Sequence, residues 1–301
     1  GVTKEELHGV LLPYVEALAR KEGRSVEDEL LAIKQKYDGY HFSSEMQDIY
    51  NPYSLVNALN DGGLNDYWSQ TGNSQMLMDA VDEIGWDGGD FDGIEIDRRV
   101  LESNDVDRKR LPLFLYQAGY LTIKGYDEDT YTLGIPNTET RNAVYTSILP
   151  RLAEKDELEV ESSIAGIRKA LKRLDIETAF GHLRALVAET PYSRDNSVPA
   201  VEEKFQFILR NALFLCNARM QEEVRIATGR IDLVAEHPKC ILVMELKMTA
   251  RGGVDAAARQ ATGRDYLAPY LMKSKPVYTV AIEFNGETRK MGEVAVVRNK
   301  E

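Results

Sequence analysis

The chain has 301 residues, of which 43% are hydrophobic, and a formal net charge of -12. This length allows two or three domains with packed cores. No apolar run reaches the roughly 18 residues that a membrane-spanning helix needs, and no signal-type leader opens the sequence, so we expect a cytoplasmic protein. Cys216 and Cys240 lie in apolar runs without metal-type spacing and are expected to be reduced core residues.

The negative charge is unevenly distributed. Residues 196–301 contain 16 Lys and Arg against 13 Asp and Glu, a net +3, which leaves 21 against 36, a net -15, for residues 1–195. The acidic charge therefore lies outside the last third of the chain. A net charge this small argues against tight, unassisted binding of that third to nucleic acid, so a further domain or partner is expected to help bring such a substrate.

The first part of the chain, residues 1–80, is predicted to be helical. Apolar residues at helical spacing predict amphipathic helices over 4–21 and 26–36. Aromatic residues with Gly and Pro then cluster in 37–42 and 49–55. Such a cluster can form a base-stacking surface, but the core of a packed loop is the more common structure.

The middle part, residues 81–195, is also predicted to be mostly helical. Residues 111–120 predict a helix that leads into two strands, 121–124 and 130–135, joined by the acidic turn Asp127-Glu128-Asp129. A helix followed by a hairpin resembles a winged-helix element, which often binds DNA. Because an acidic tip repels phosphate, we favour a structural or protein-contact role. One or two helices over 161–187 and a linker over 191–196 complete this part.

The last part, residues 196–301, predicts an ordered set of helices and strands. In chain order they are a helix over 199–219, a strand over 222–226, two strands over 229–236 and 240–247, a helix over 254–272 and a strand over 275–284. The strands 229–236 and 240–247 are separated by His237-Pro238-Lys239 and therefore predict an antiparallel hairpin.

Three charged residues in this hairpin indicate a metal site. Asp232 is predicted to lie opposite Glu245, and Lys247, two residues further along the strand, shares their face. Because unpartnered charges on apolar strands are costly to bury, a ligand is implied. Carboxylate oxygens suit Mg²⁺ or Mn²⁺. The simpler alternative is a surface hairpin on which the lysine neutralises two carboxylates.

The order of elements and their motifs resemble the PD-(D/E)XK nuclease superfamily, and more narrowly the prokaryotic group in which an AAA-ATPase-like domain precedes the nuclease domain. The resemblance is carried by Glu203-Lys204-Phe205, Gly229-Arg230-Ile231-Asp232, Glu245-Leu246-Lys247, Gln260, Tyr266, Ala268-Pro269-Tyr270 and Glu287-Thr288-Arg289. It implies a restriction-endonuclease-like α/β domain over 196–301, with a mixed sheet flanked by helices.

The same resemblance extends to residues 1–80, which are similar to the helical C-terminal part of the AAA-ATPase-like domain. No G-x-x-x-x-G-K-[ST] motif occurs in the sequence. The chain therefore has no phosphate-binding loop of that type, and we do not expect it to hydrolyse ATP.

The resemblance and the hairpin together assign roles to individual residues. Asp232 and Glu245 are expected to bind the metal with the backbone carbonyl of Leu246, and the resemblance adds Glu203 as an outer or second-metal carboxylate. Lys247 is expected to position or deprotonate the attacking water. Gln260 and Tyr266 suit substrate positioning, with packing of their helix against the sheet as the alternative. The basic residues that flank the site and could contact phosphate are Arg225, Arg230, Lys247, Arg251, Arg259 and Arg264.

The expected activity is Mg²⁺-dependent endonucleolytic hydrolysis of nucleic acid, with DNA as the expected substrate. Two alternatives remain open at this point. The last part could be a non-catalytic module that binds nucleic acid or protein, or a nuclease that is inactive without an ATPase domain.

Overall fold

The computed structural model describes residues 1–68, 74–84, 91–102, 111–187, 198–226, 229–248, 264–285 and 290–300. The chain divides into two compact units, with the boundary between Ser147 and Ile148. We call them the N-terminal unit and the C-terminal unit and describe each by itself. The three-part division at residues 80 and 195 stays a prediction. The predicted linker over 191–196 lies outside the described residues.

The described part of the N-terminal unit consists of short helices and a small sheet. Its helices are α1 (Lys4–His8), α2 (Leu12–Glu22), α3 (Val26–Tyr37), α4 (Pro52–Asp61), α5 (Ser74–Ile84), α6 (Arg98–Leu101) and α7 (Leu111–Gln117). Its strands are β1 (Ile94–Asp97), β2 (Thr122–Asp127) and β3 (Thr130–Gly134). Helix α8 (Thr138–Ala153) begins in this unit and ends in the C-terminal unit.

The prediction of one continuous helix over 4–21 is wrong, because the chain breaks between α1 and α2. Gly9 ends α1 with a non-helical backbone. Pro13 then occupies the first turn of α2, where its missing N–H costs nothing. Within a continuous helix the proline ring would collide with the carbonyl of Gly9, four residues earlier. The predicted helix over 26–36 is confirmed as α3.

The aromatic segment 37–42 forms part of the core of the N-terminal unit. Tyr37 and Tyr40 are buried. The Tyr40 hydroxyl lies 3.1 Å from Thr140 Oγ1, and the side-chain amide of Asn137 donates to the carbonyl of Asp38 at 3.0 Å. These contacts support the packed-loop interpretation of the aromatic cluster. Phe42, at 69% exposure, is the exception.

The helix and hairpin predicted over 111–135 are confirmed as α7, β2 and β3, with β2 and β3 paired antiparallel. Strand β1, which we did not predict, pairs antiparallel with the other side of β3. The sheet order is therefore β1-β3-β2. The assignment of this element as a winged helix stays a prediction.

The C-terminal unit combines helices with one mixed sheet. Its helices in the described residues are α9 (Glu157–Lys172), α10 (Ile176–Leu186), α11 (Val198–Leu215) and α12 (Arg264–Leu271). Its strands are β4 (Arg219–Ile226), β5 (Gly229–Glu236), β6 (Ile241–Met248), β7 (Val277–Asn285) and β8 (Lys290–Lys300).

The predicted order of elements in the last part of the chain is confirmed, with three differences. Helix α11 ends at Leu215 rather than residue 219, because Asn217 turns the chain with a φ of 65° and β4 starts at Arg219. Strand β8 was not predicted. The first half of the predicted helix over 254–272 lies outside the described residues, and its second half is α12.

The five strands are arranged in the order β4-β5-β6-β7-β8. Strands β6 and β7 are parallel, and the other neighbours are antiparallel. One face of β6 packs on α12, where Leu267 and Tyr270 join the same apolar cluster as Ile241 and Val243. The ring of Phe205 in α11 stacks on that of Phe284 in β7, at 4.5 Å between centroids. Helices thus cover the central strands.

No helix in the described ranges combines the length and the apolar character that crossing a membrane requires.

The fold predicts a strong requirement for glycine at position 39. Gly39 has a φ of 93°, and a Cβ there would lie 2.4 Å from the carbonyl oxygen of Pro136. We expect Gly39→Ala to lower the free energy of unfolding of the N-terminal unit by at least about 2 kcal/mol, because it adds a backbone collision to the strain of positive φ.

Gly23→Ala is the matched control for this measurement. Gly23 also has a positive φ, 67°, but a Cβ there meets nothing within 4 Å. Its cost should be about 1 kcal/mol, since the conformational strain acts alone. Chemical denaturation of both variants gives the comparison, and equal losses would contradict the proposed steric role of Gly39.

Candidate active site

The candidate site lies where β5 and β6 stop pairing. The antiparallel register runs from Glu236↔Ile241 to Leu233↔Met244 and then ends, although both strands continue. Asp232 and Glu245 are the next residues on the two strands. The hairpin thus places the carboxyl groups of Asp232 and Glu245 at the point where the backbone pairing of β5 and β6 ends.

Asp232 bridges the opening with its side chain. Its Oδ2 accepts a hydrogen bond of 2.9 Å from the backbone N–H of Leu246. A carboxylate that accepts a backbone N–H in this way is held in one orientation. The contact also fixes the backbone of β6 at the residue that follows Glu245.

Glu245 is the most unusual group of the site. It has no exposed surface, and among the described residues neither of its side-chain oxygens has a hydrogen-bond partner. Burial first, and the negative charge of Asp232 second, raise the pKa of Glu245 to about 8, against the opposing effect of Lys247. A buried carboxyl group without a hydrogen-bond partner is costly, so this position points to a ligand.

Lys247 lies beside this carboxyl group. Its Nζ is 3.8 Å from Glu245 Oε2, and a quarter of its side chain is exposed. The separation is longer than a hydrogen bond. The ammonium group is therefore near enough to influence charge at the site while it keeps access to solvent.

The face that carries Glu245 and Lys247 is set by strand alternation. Ile241 and Val243 occupy the preceding positions on the same face of β6 and pack in the cluster that includes α12. This apolar packing determines which face of β6 turns toward α12. Glu245 and Lys247 follow on the same face, beyond the paired part of the hairpin.

The structure brings together four of the predicted site residues and leaves four others apart or undescribed. Asp232, Glu245, Leu246 and Lys247 lie together, as the contacts above show. Glu203 is exposed on α11, and the described contacts do not join it to the other four. The helix of Glu203 packs through Phe205 on Phe284 of β7. Phe284 pairs in register with Met248, the residue after Lys247, so Phe284 points to the sheet face opposite Lys247. Helix α11 therefore packs on that opposite face.

The remaining predicted residues cannot be placed at the site. Gln260 lies outside the described residues, and the side chains of Arg230 and Tyr266 do so as well. The backbone of Arg230 belongs to β5, where it pairs with Arg225, and the backbone of Tyr266 belongs to α12. Their roles stay predictions.

Sequence reasoning missed one charged neighbour of the site, Glu283. It pairs in register with Lys247 on the parallel strand β7. A Cβ at Gly292 of β8 would lie 3.1 Å from its Cγ, so the glycine leaves room for this side chain. A glutamate within the apolar run 277–284 is the one sequence feature that could have identified it. Its position beside Lys247 could not be predicted, because it depends on the register between two strands that are far apart in the sequence.

The donor set fits a hard divalent cation. Glu245 offers two buried oxygens without partners, and Asp232 offers a second carboxylate. The described residues include no group of three or more His, Cys, Asp and Glu side chains suited to a metal. Two carboxylates suffice for Mg²⁺, which commonly keeps several water ligands and takes others from the substrate.

The chain is similar to one protein family over part of its length and to a known protein over most of it. Residues 202–294 match the family model of the PD-(D/E)XK nuclease superfamily. The chain is also 22% identical over 301 residues to an uncharacterized protein in the vnfD 5' region of Azotobacter chroococcum mcd 1. That match covers 97% of this chain and 55% of the relative, so the chain spans about half the relative's length.

No solved structure gives a significant match to the chain. The AAA-ATPase-like assignment of residues 1–80 therefore stays a prediction. The match to the PD-(D/E)XK nuclease superfamily covers the segment that carries Asp232, Glu245 and Lys247.

Proposed function

We propose that the C-terminal unit is a metal-dependent nuclease that hydrolyses phosphodiester bonds of nucleic acid, with DNA as the expected substrate. One observation carries the proposal: Glu245 is fully buried without a hydrogen-bond partner among the described residues, beside Asp232 and 3.8 Å from the Lys247 ammonium. The match of residues 202–294 to the PD-(D/E)XK nuclease superfamily supports it.

Asp232 and Glu245 would hold the cation, with the backbone carbonyl of Leu246 as a further oxygen donor. When bound, Mg²⁺ or Mn²⁺ supplies a Lewis acid for the phosphoryl oxygen and makes an attached water more acidic. The hydrogen bond from Leu246 N–H keeps the Asp232 carboxylate oriented before the cation arrives. Such preorganisation reduces the reorganisation that binding would otherwise require.

Lys247 would act on the reacting groups directly. Its ammonium lies at the carboxylate pair but is still partly exposed. From there it would orient the attacking water and offset the negative charge that develops on the phosphate. Glu283, in register beside Lys247, adds negative charge to the same face and would restrict where the ammonium can lie.

An inactive binding module would have the same fold but no use for this arrangement. A domain that only binds nucleic acid gains nothing from a buried carboxyl group without a hydrogen-bond partner among the described residues. A cleavage panel of DNA and RNA, single- and double-stranded, with Mg²⁺ and with Mn²⁺, tests the proposal. Metal-dependent cleavage of any of these is expected. Cleavage that appears only after an ATPase domain is added would indicate a nuclease that depends on that domain.

The metal-free protein should lose stability as the pH rises, because of Glu245. The pKa of the Glu245 carboxyl group is ordinarily 4.5 and is about 8 in the folded chain. At a pH between these two values, the folded state therefore holds a proton that the unfolded state has released. Stability then falls with increasing pH across that window. Glu245→Gln should remove this part of the pH dependence. Melting temperatures measured from pH 5 to about 8 test this prediction. The control is Glu203→Gln, at an exposed position. A Glu245→Gln variant whose melting temperature depends on pH as strongly as that of the wild type would contradict it.

Metal binding should require both carboxylates and should release a proton. Calorimetric titration with Mn²⁺ is expected to show binding that is lost in the Asp232→Ala, Glu245→Ala double variant. Because Glu245 holds a proton at neutral pH, binding at pH 7 should release up to about one proton, measured in buffers that differ in ionisation enthalpy. The variant should remain folded, since the substitutions remove a buried carboxyl group that has no hydrogen-bond partner among the described residues. Unchanged Mn²⁺ affinity in this variant would rule out the assigned site.

Lys247→Ala should reduce the cleavage rate by about 100-fold or more, equivalent to about 3 kcal/mol, because it removes a preorganised electrostatic donor. Substrate affinity should change much less, since one phosphate contact among several is modest. Lys247→Arg should not restore the rate, because guanidinium differs in shape and does not give up a proton.

A purely structural lysine would behave differently. If Lys247 only neutralises the carboxylates, its removal should lower the melting temperature and leave cleavage nearly intact. Cleavage rates and melting temperatures of the Ala variant separate the two roles, and an active but destabilised variant would refute the catalytic one.

A further inference from the structure

The pairing of β7 with β8 contains a bulge next to the candidate active site. The register shifts there, so that one residue of β7, Glu283, lies opposite two residues of β8, Gly292 and Glu293. Glu283 is also the residue of β7 that pairs in register with Lys247 of β6. Because a bulge bends its strand and changes the direction of nearby side chains, this one affects the charged neighbour of Lys247.

The side chain of Glu283 leans over the bulge toward β8. A Cβ added at Gly292 would lie 3.1 Å from the Cγ of Glu283, 3.2 Å from its Cδ and 3.3 Å from its Cβ. These are the three nearest atoms that such a Cβ would meet. The Glu283 side chain, including its carboxyl carbon, therefore fills the space that a larger residue at position 292 would need.

Lys247 lies on the other side of Glu283. Residues paired in register on adjacent strands share one face of the sheet, and adjacent strands are about 4.8 Å apart. The two long side chains could therefore reach each other. Among the described residues, Lys247 nevertheless forms its ion pair with Glu245, at 3.8 Å, rather than with Glu283. The lean of Glu283 toward β8 gives a direct reason for this choice of partner.

The backbone at Gly292 is held in place by a hydrogen bond from a helix. Arg184 of α10 donates from Nη2 to the carbonyl oxygen of Gly292 at 2.8 Å. Gly292 is not one of the glycines with a positive φ, so its backbone conformation is open to other residues. What glycine provides at this position is therefore room for the side chain of Glu283.

We propose that Gly292 is a positioning residue of the active site, because its missing side chain lets Glu283 lie against β8 and prevents this carboxylate from capturing the Lys247 ammonium. The inference rests on the proposed nuclease function for the role of Lys247. An ion pair with Glu283 would draw the ammonium away from Glu245. It would also cancel much of the positive charge that offsets the charge developing on the phosphate.

Gly292→Ala tests this role, because its methyl group takes the space of the Glu283 side chain. That side chain is flexible and the backbone of the bulge is anchored, so we expect the carboxylate to turn toward Lys247. The kcat for metal-dependent cleavage should fall at least about tenfold, equivalent to about 1.4 kcal/mol, and KM should stay within about twofold. Cleavage by Gly292→Ala at the wild-type rate would overturn the proposal.

The same substitution in a Glu283→Gln background separates charge from shape. Glutamine has the size of glutamate, so the methyl group displaces it equally, but it has no charge with which to hold the ammonium. Gly292→Ala should therefore change kcat by less than about twofold in this background. The melting temperature should shift by the same amount in both backgrounds. An equal loss of kcat in both would mean that Gly292 has a purely structural role and would refute the proposal.

Crystal structures of the wild type and of Gly292→Ala provide a measurement that does not depend on activity. In the variant, an oxygen of Glu283 should lie within about 4 Å of Lys247 Nζ. A Glu283 side chain turned to solvent, with Lys247 still beside Glu245, would contradict the proposal. If the new ion pair forms but the wild type cleaves no nucleic acid with Mg²⁺ or Mn²⁺, the proposed nuclease function fails while the competition of Glu245 and Glu283 for Lys247 stands.

Discussion

The C-terminal unit depends on a carboxyl group, Glu245, that the fold withdraws from water without giving it a hydrogen-bond partner among the described residues. Glu245 follows Ile241 and Val243 on the face of β6 that packs on α12, and it has no exposed surface. Burial of the apolar residues around it offsets the cost. The backbone hydrogen bonds between β5 and β6 end beside Glu245. There the side chain of Asp232, rather than a backbone carbonyl, accepts the hydrogen bond of the Leu246 N–H. Beyond the end of the ladder each of the two strands carries a carboxyl group, a pair that suits a cation better than a neutral ligand.

The hairpin and the shared face of its charged residues could be predicted from the sequence, because both follow from local rules. Two apolar runs around His237-Pro238-Lys239 indicate a hairpin, and alternation along β6 places Glu245 and Lys247 on one face. The end of the β5–β6 ladder could not be predicted, since no residue type marks it. Glu283 was missed because its place beside Lys247 depends on the parallel register of β7. Strand β8 carries charged residues at irregular positions, so it lacks the alternation that identified the other strands.

In the N-terminal unit the same local rules gave mixed results. Helical periodicity over 4–21 is real, but Gly9 and Pro13 together interrupt the backbone, and periodicity alone does not detect such a break. The aromatic segment 37–42 was correctly expected to be a loop core. What fixes it is contact with residues about a hundred positions away, such as Asn137 and Thr140, and no sequence pattern predicts those partners.

The nuclease proposal requires that Asp232 and Glu245 share a divalent cation. Anomalous diffraction from crystals grown or soaked with Mn²⁺ tests it most directly, because the signal locates the metal without reference to activity. One strong anomalous peak is expected between the two carboxylates, with an oxygen of each at roughly 2.0 to 2.6 Å from the metal. A Mn²⁺ ion bound elsewhere in the unit, with Glu245 still protonated and unligated, would contradict it.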